Sequence, residues 1–188
     1  MKRIFFAICM LLAIYVIQSC NSNSNTNMAK DSVDSANDAN KRLQPVDAGS
    51  AEFAVKAANG GMMEVEGGKL ASEKASSKRI KSFGDMMVKD HSEANDKLKR
   101  IATGLNIALP DTLSYDSKTE LNKLANKKGK DFDKAYMNMM LEDHKNDLTE
   151  FRRAADNLKD SSIKSFAETT LPVLEKHLDS VEAITGKK

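Results

Sequence analysis

The chain of 188 residues carries only three histidines, His91, His144 and His177. Two of them directly follow an aspartate, in Asp90-His91 and Asp143-His144. Imidazole nitrogens and carboxylate oxygens are the donor atoms that hold zinc, iron, manganese or copper. The same groups also pair with one another, so such a set can equally be a hydrogen-bonded polar layer inside a core. Glu64 joins them because it interrupts a face of small residues that includes Gly60, Gly67 and Gly68. The candidate set is therefore Glu64, Asp90, His91, Asp143, His144 and His177. Seven methionines crowd the same stretches: Met62, Met63, Met86, Met87, Met137, Met139 and Met140. Thioethers suit Cu(I), but adjacent methionines cannot all face one site, and core filling is the expected role.

For these residues to meet, long elements must bring them to one height. From Ala51 onward the apolar residues recur at helical spacing, without strand-like alternation. The first long helix is expected over about 51–75, with Phe53, Ala57, Gly60, Glu64 and Ala71 on one stripe. Its glycines should each cost about 1 kcal/mol relative to alanine unless a neighbouring helix packs very close. The second follows Ser76 or Ser77 as N-cap and carries Ile80, Phe83, Met87, Asp90/His91, Ala94, Leu98 and Ile101, with Gly104 just past its end. A longer connection, about 105–130, contains Pro110-Asp111 and a short helix near 118–126, ended by Gly129. Asp131 is expected to cap a third long helix over about 132–158, with Phe132, Tyr136, Met140, His144, Leu148 and Phe151 inward. Asp160 or Ser161 opens the fourth, with Ile163, Phe166, Thr170, Leu174, His177, Val181 and Ile184 inward. Pro172 lies inside that helix and should kink it.

Helices of about 25 residues are about 37 Å long. Their loops run short, long, short. The expected fold is all-α, a ferritin-like four-helix bundle whose long second connection brings the third helix parallel to the second, in preference to an up-down-up-down bundle. Glu64, His91 and His144 fall near their helix midpoints, and His177 about a turn past its own. Met87-Val88-Lys89-Asp90-His91 echoes Met140-Leu141-Glu142-Asp143-His144, either as a weak duplication or as the chance likeness of two amphipathic helices. No histidine has a glutamate three positions before it, and adjacent Asp-His residues splay by about 100° around a helix. A di-iron ferroxidase centre is therefore not expected.

The first fifty residues read differently. Met1-Lys2-Arg3 precedes a run of apolar residues from Ile4 to Ile17, too short for a span of about 20 residues and suited to a secretory signal over 1–19. Ile17-Gln18-Ser19-Cys20 resembles a bacterial lipobox, with Cys20 as the lipidated residue and Gln18 standing where a small residue is usual. Ordinary cleavage nearby is the other reading. Cys9 leaves with the signal, so no intrachain disulfide remains. Processing removes Lys2 and Arg3 from the 29 basic residues and matches them to the 27 acidic ones. No basic cluster suggests a nucleic-acid partner. Asn21 to Ser50 is rich in Asn, Ser, Asp and Ala, and residues 20–50 are expected to be a disordered tether. The domain is expected over 51–188.

Phe53 to Ala71, Met87 through Asp90-His91-Ser92, Leu109-Pro110, Phe132-Asp133, Asp143-His144 and Leu171-Pro172 through His177-Leu178 resemble a secreted bacterial family of domains of unknown function, commonly labelled outer membrane proteins. The likeness covers about residues 50–185. It implies a ferritin-like four-helix fold and an envelope location. Cys20, as a lipid anchor to the membrane, is followed by Asn21 and not by the aspartate linked to inner-membrane retention, which makes an outer-membrane lipoprotein facing the periplasm the expected location. The likeness implies no established activity, and leaves the six polar residues above as the candidates for a site.

Three functions remain open. The first, and the expected one, is a non-catalytic binding or stress-related module of the envelope whose polar layer shapes the core. The alternative is a metal-binding or metal-dependent redox protein. A hydrolase ranks last, since the chain has no nucleophile elbow, phosphate loop or Cys-His pair.

Overall fold

The computed structural model describes residues 30–187. Residues 1–19, expected to be a signal, and Cys20 lie outside the described residues. Six helices follow in order: α1 Ser32–Leu43, α2 Ala48–Lys74, α3 Lys78–Leu105, α4 Tyr115–Ala125, α5 Gly129–Asn157 and α6 Ser161–Thr185. Four of them, α2, α3, α5 and α6, are the long helices expected from the apolar spacing. The helix α4 is the expected short one.

Aromatic contacts fix the direction of each helix. Phe53 near the start of α2 meets Phe151 near the end of α5, with ring centroids 5.0 Å apart. Lys97, late in α3, bonds Thr169, early in α6. Phe83, early in α3, meets Tyr136, early in α5. So α2 and α6 point one way, and α3 and α5 the other. This is the up-down-down-up order of a ferritin-like bundle, and the connection through α4 makes the crossover.

The glycine-rich face of α2 explains the tight α2–α3 pairing. A Cβ on Gly68 would stand 2.8 Å from the Gly84 carbonyl oxygen, and one on Gly84 would stand 2.7 Å from the Gly68 oxygen. Two backbones therefore touch directly, which only glycine permits.

Local signals were met in part. Asp160 caps α6, its Oδ1 accepting from the backbone N–H of Ser162 and Ile163 at 3.0 Å each. Ser77 sits at the N-cap of α3 but makes no side-chain cap bond. Asp133 supplies it instead, its carboxylate accepting from the N–H groups of Ser76 and Ser77. The C-cap of α3 is Asn106 at φ 55°, while Gly104 stays inside the helix. Asp131 is in the first turn of α5, whose N-cap is Lys128. Gly129 does not end α4; it begins α5 with φ +56°. The helix α6 runs on through Pro172.

The disordered tether expected over 20–50 needs correction from residue 32 onward. There, Asp31 caps α1, its Oδ1 accepting from Val33 N–H at 2.9 Å. Gln44 closes it in the left-handed region. Polar contacts dock it. Asn40 is buried, donates to the Ala108 carbonyl at 2.9 Å and accepts from Ala108 N–H at 2.7 Å. Ser32 and Asp31 bond the same crossover at Asp111 and Tyr115. The segment lacks the large apolar residues that mark a packed helix, yet it holds its place by side-chain-to-backbone bonds.

The core has two apolar halves. One gathers Phe83, Met87, Phe132, Tyr136, Met140 and Val181. The other gathers Phe53, Leu98, Phe151, Ile163, Phe166 and Leu174. Along every long helix, a candidate polar residue lies between members of the two halves. The methionines take the packing role: Met63, Met87, Met137, Met139 and Met140 are all buried in the first half.

Candidate metal centre

Each histidine comes from a different helix. Met87 and Met140 face the first apolar half; one turn later, at i+4, the same stripes present His91 on α3 and His144 on α5. Because α3 and α5 are parallel, this shared Met-to-His spacing sets the two rings at one height. His177, between Leu174 and Val181, reaches that height from α6. His144 and His177 are fully buried, and His91 and Glu64 are nearly so.

One ring nitrogen from each histidine lies within 4.8 Å of the other two. His91 Nε2 and His144 Nε2 each stand 3.3 Å from His177 Nδ1. The opposite nitrogens are engaged. His144 Nδ1 donates to the Met140 carbonyl at 2.9 Å. His177 Nε2 donates to Asp90 Oδ2 at 3.0 Å. His91 Nδ1 lies 2.8 Å from Glu64 Oε2. A carbonyl only accepts, and so does a carboxylate in its ionised form. The ring protons of His144 and His177 are therefore committed outward. His144 Nε2 and His177 Nδ1 face one another as two acceptors, and His91 Nε2 is the one ring nitrogen placed to donate to His177 Nδ1.

Electrostatics keep the three rings neutral. Burial pushes all three histidines down to about 4, and the neighbouring Asp90 and Glu64 charges only partly oppose it. Burial alone would raise Asp90, but the His177 hydrogen bond and the Lys176 and Lys89 charges hold it below the usual carboxylate range. It is thus an ionised acceptor. Burial raises Glu64 to about 7, against the pull of His144 and of a hydrogen bond with Asp147. Burial and the nearby acids Glu64, Asp147, Glu120 and Glu142 raise Asp143 to about 8. Asp147 is raised by burial and by Glu64.

Among the described residues, three buried side-chain atoms have no hydrogen-bond partner: Glu64 Oε1, Tyr136 Oη and Asp143 Oδ2. Glu64 Oε1 is 3.6 Å from His144 Nε2, on the same side as the converging lone pairs. Of the six candidates from sequence, Glu64, His91, His144 and His177 come together. Asp90 stands directly behind His177. Asp143 is set apart among other acids. Asp147 was missed, although it follows His144 by three positions and so shares its face. Tyr136 was read as core only, and nothing in its sequence context sets its hydroxyl apart.

The chain matches the family described as Domain of unknown function (DUF4142) over residues 34–184. It belongs to the DUF4142 family. The matched span begins inside α1 and ends at the last turn of α6, so α1 is part of the DUF4142 domain and not of a leader. No curated protein and no solved structure matches this DUF4142 chain.

Proposed function

We propose that this protein binds one divalent first-row transition metal ion in the middle of its bundle, through His91 Nε2, His144 Nε2 and His177 Nδ1, with Glu64 Oε1 as fourth ligand. The observation that carries the reading is the convergence of three buried imidazole nitrogens, of which His144 Nε2 has no donor. With metal–nitrogen bonds of about 2.0–2.1 Å, two ligands of a tetrahedral ion stand about 3.3–3.4 Å apart. The spacing at His177 is 3.3 Å on both sides. A cation gives the lone pairs and Glu64 Oε1 a common partner. Asp90 and the Met140 carbonyl hold two of the rings in the ligating tautomer, as outer partners of metal-bound histidines do.

A plain polar layer leaves this arrangement less well explained. It accounts for the outward bonds of His144 and His177, and a protonated Glu64 would let His91 Nε2 donate to His177 Nδ1. But His144 Nε2 still has no donor, and buried acceptors without donors are costly. The site supports binding. Whether the ion also does redox work is a separate step, for which it offers three neutral ligands and one acid of raised pKa.

The test is elemental analysis of the domain purified without a metal-binding tag, then offered iron, zinc, manganese and copper in turn. The expected result is one ion per chain, lost in His144→Ala while the bundle stays helical. A protein that takes up none of the four sinks the proposal.

We also propose that the domain is anchored in the bacterial envelope through Cys20, on the support of Ile17-Gln18-Ser19-Cys20 and the basic, apolar start. In a bacterial host, Cys20→Ala should move the chain from the membrane pellet to the soluble fraction. An unchanged distribution speaks against the anchor.

A further inference from the structure

The polar layer borders a cavity of about 30 Å³. Its lining includes Glu64, His91 and Asp147 together with the apolar Ala57, Phe151 and Leu174. A single water needs about 10–15 Å³ of such space, so this one holds about two heavy atoms. It exists because α2 carries small residues here. Gly60 lines it, and a Cβ on Gly60 would meet nothing within 4 Å. Elsewhere on the same face the glycines Gly67 and Gly68 are tightly filled by Met139 and by α3. Close helix packing therefore accounts for those two and not for Gly60.

Four protein ligands can close a metal site, and a site with adjoining space can still expand to five. Here, space of the size of one small molecule abuts two of the four ligand residues, with a carboxyl beside it. We infer that the metal centre expands on this side, and that the cavity admits to the ion, as a fifth ligand, a neutral diatomic molecule of the dioxygen and nitric oxide class. The inference rests on the metal reading above and deepens it. The volume and the apolar part of the lining suit a neutral diatomic, and a chain of three or more heavy atoms is too large.

Nitric oxide is the probe. Added without air to the Fe(II)-loaded protein, it forms one bond from its nitrogen to iron, and any bound water leaves. The adduct has a spin-3/2 electron paramagnetic resonance signal. Iron content is measured on the same sample. The expected result is one iron and one nitrosyl signal per chain. Gly60→Leu should weaken nitric oxide binding at least tenfold while iron content is unchanged. Ala57→Leu is the second filling variant, should the first not fold. Iron bound without a nitrosyl signal shows a closed centre and overturns this inference, leaving the metal reading intact. A signal unaffected by both filling variants shows that the ligand arrives elsewhere, and overturns the cavity as its place. No uptake of iron, zinc, manganese or copper overturns the metal reading itself.

Discussion

At the scale of residues, the metal-free centre joins groups that fold in opposite protonation states. The histidines sit at about 4, well below their ordinary 6.5. Their contribution to stability is complete above pH 6.5 and is lost as pH falls towards 4. Glu64 and Asp143 sit at about 7 and about 8, above their ordinary 4.5 and 3.8. Their contribution is complete below those ordinary values and is lost as pH rises through 7 and 8. Between about 4.5 and 6.5 the two effects oppose one another. Above 6.5 only the acids still titrate. The melting temperature of the metal-free protein should therefore drop as pH is raised from 6.5 to 8, and saturating zinc should flatten that drop by taking the place of the acid proton. A metal-free protein that melts at the same or a higher temperature at pH 8 contradicts these assignments. The sequence made four of the core residues visible because each polar side chain broke an apolar stripe at a helix midpoint. It did not reveal the tautomers, since those depend on Met140 O and Asp90 lying on the outward side of the rings. Asp147 was not legible because it ends the polar run Lys145-Asn146-Asp147, which reads as a solvated face.

At the scale of elements, α2 poses two opposite questions with one residue type. Gly84→Ala sets a Cβ 2.7 Å from the Gly68 oxygen and 3.0 Å from the Ser72 nitrogen. Backbone cannot yield there without moving a helix, and overpacking of this kind costs about 1–3 kcal/mol. That exceeds the roughly 1 kcal/mol gained in helix propensity. Gly60→Ala meets nothing, and should gain about 0.5–1 kcal/mol. Urea titration of both variants should thus move the midpoints in opposite directions. Equal shifts would mean that the α2–α3 contact is looser than the backbone distances say. The long helices were legible because their apolar stripes run for about seven turns. The helix α1 was not. Its buried face is Ala36 and Asn40, and its hold on the crossover is a pair of hydrogen bonds to Ala108, which no hydropathy pattern displays. Helix ends were legible where a side chain caps its own helix, as Asp160 does. They were not where the cap comes from afar, as Asp133 does for α3.

At the scale of the whole molecule, a polar layer divides the bundle into two apolar cores. Burying that layer is costly, and the cost is met only when every polar atom has a partner. The up-down-down-up order matters here. It makes α3 and α5 parallel, so the matched Met87/His91 and Met140/His144 spacings arrive at one height. In an up-down-up-down bundle those two helices would run antiparallel, and the long crossover would be unnecessary. The loop lengths alone thus predicted the arrangement on which the centre depends. Three helices bring their histidines together and α2 brings Glu64 beside them, so an ion bound there would tie together all four long elements. It would stabilise the native state alone, by an amount that grows with its free concentration.

The most direct measurement is X-ray absorption at the zinc edge of the zinc-loaded protein. The account predicts a first shell of four light atoms at about 2.0–2.1 Å, with the outer-shell scattering pattern of three imidazole rings, reduced to two rings in His177→Ala. A zinc shell without imidazole scattering, or one unchanged in that variant, would contradict it.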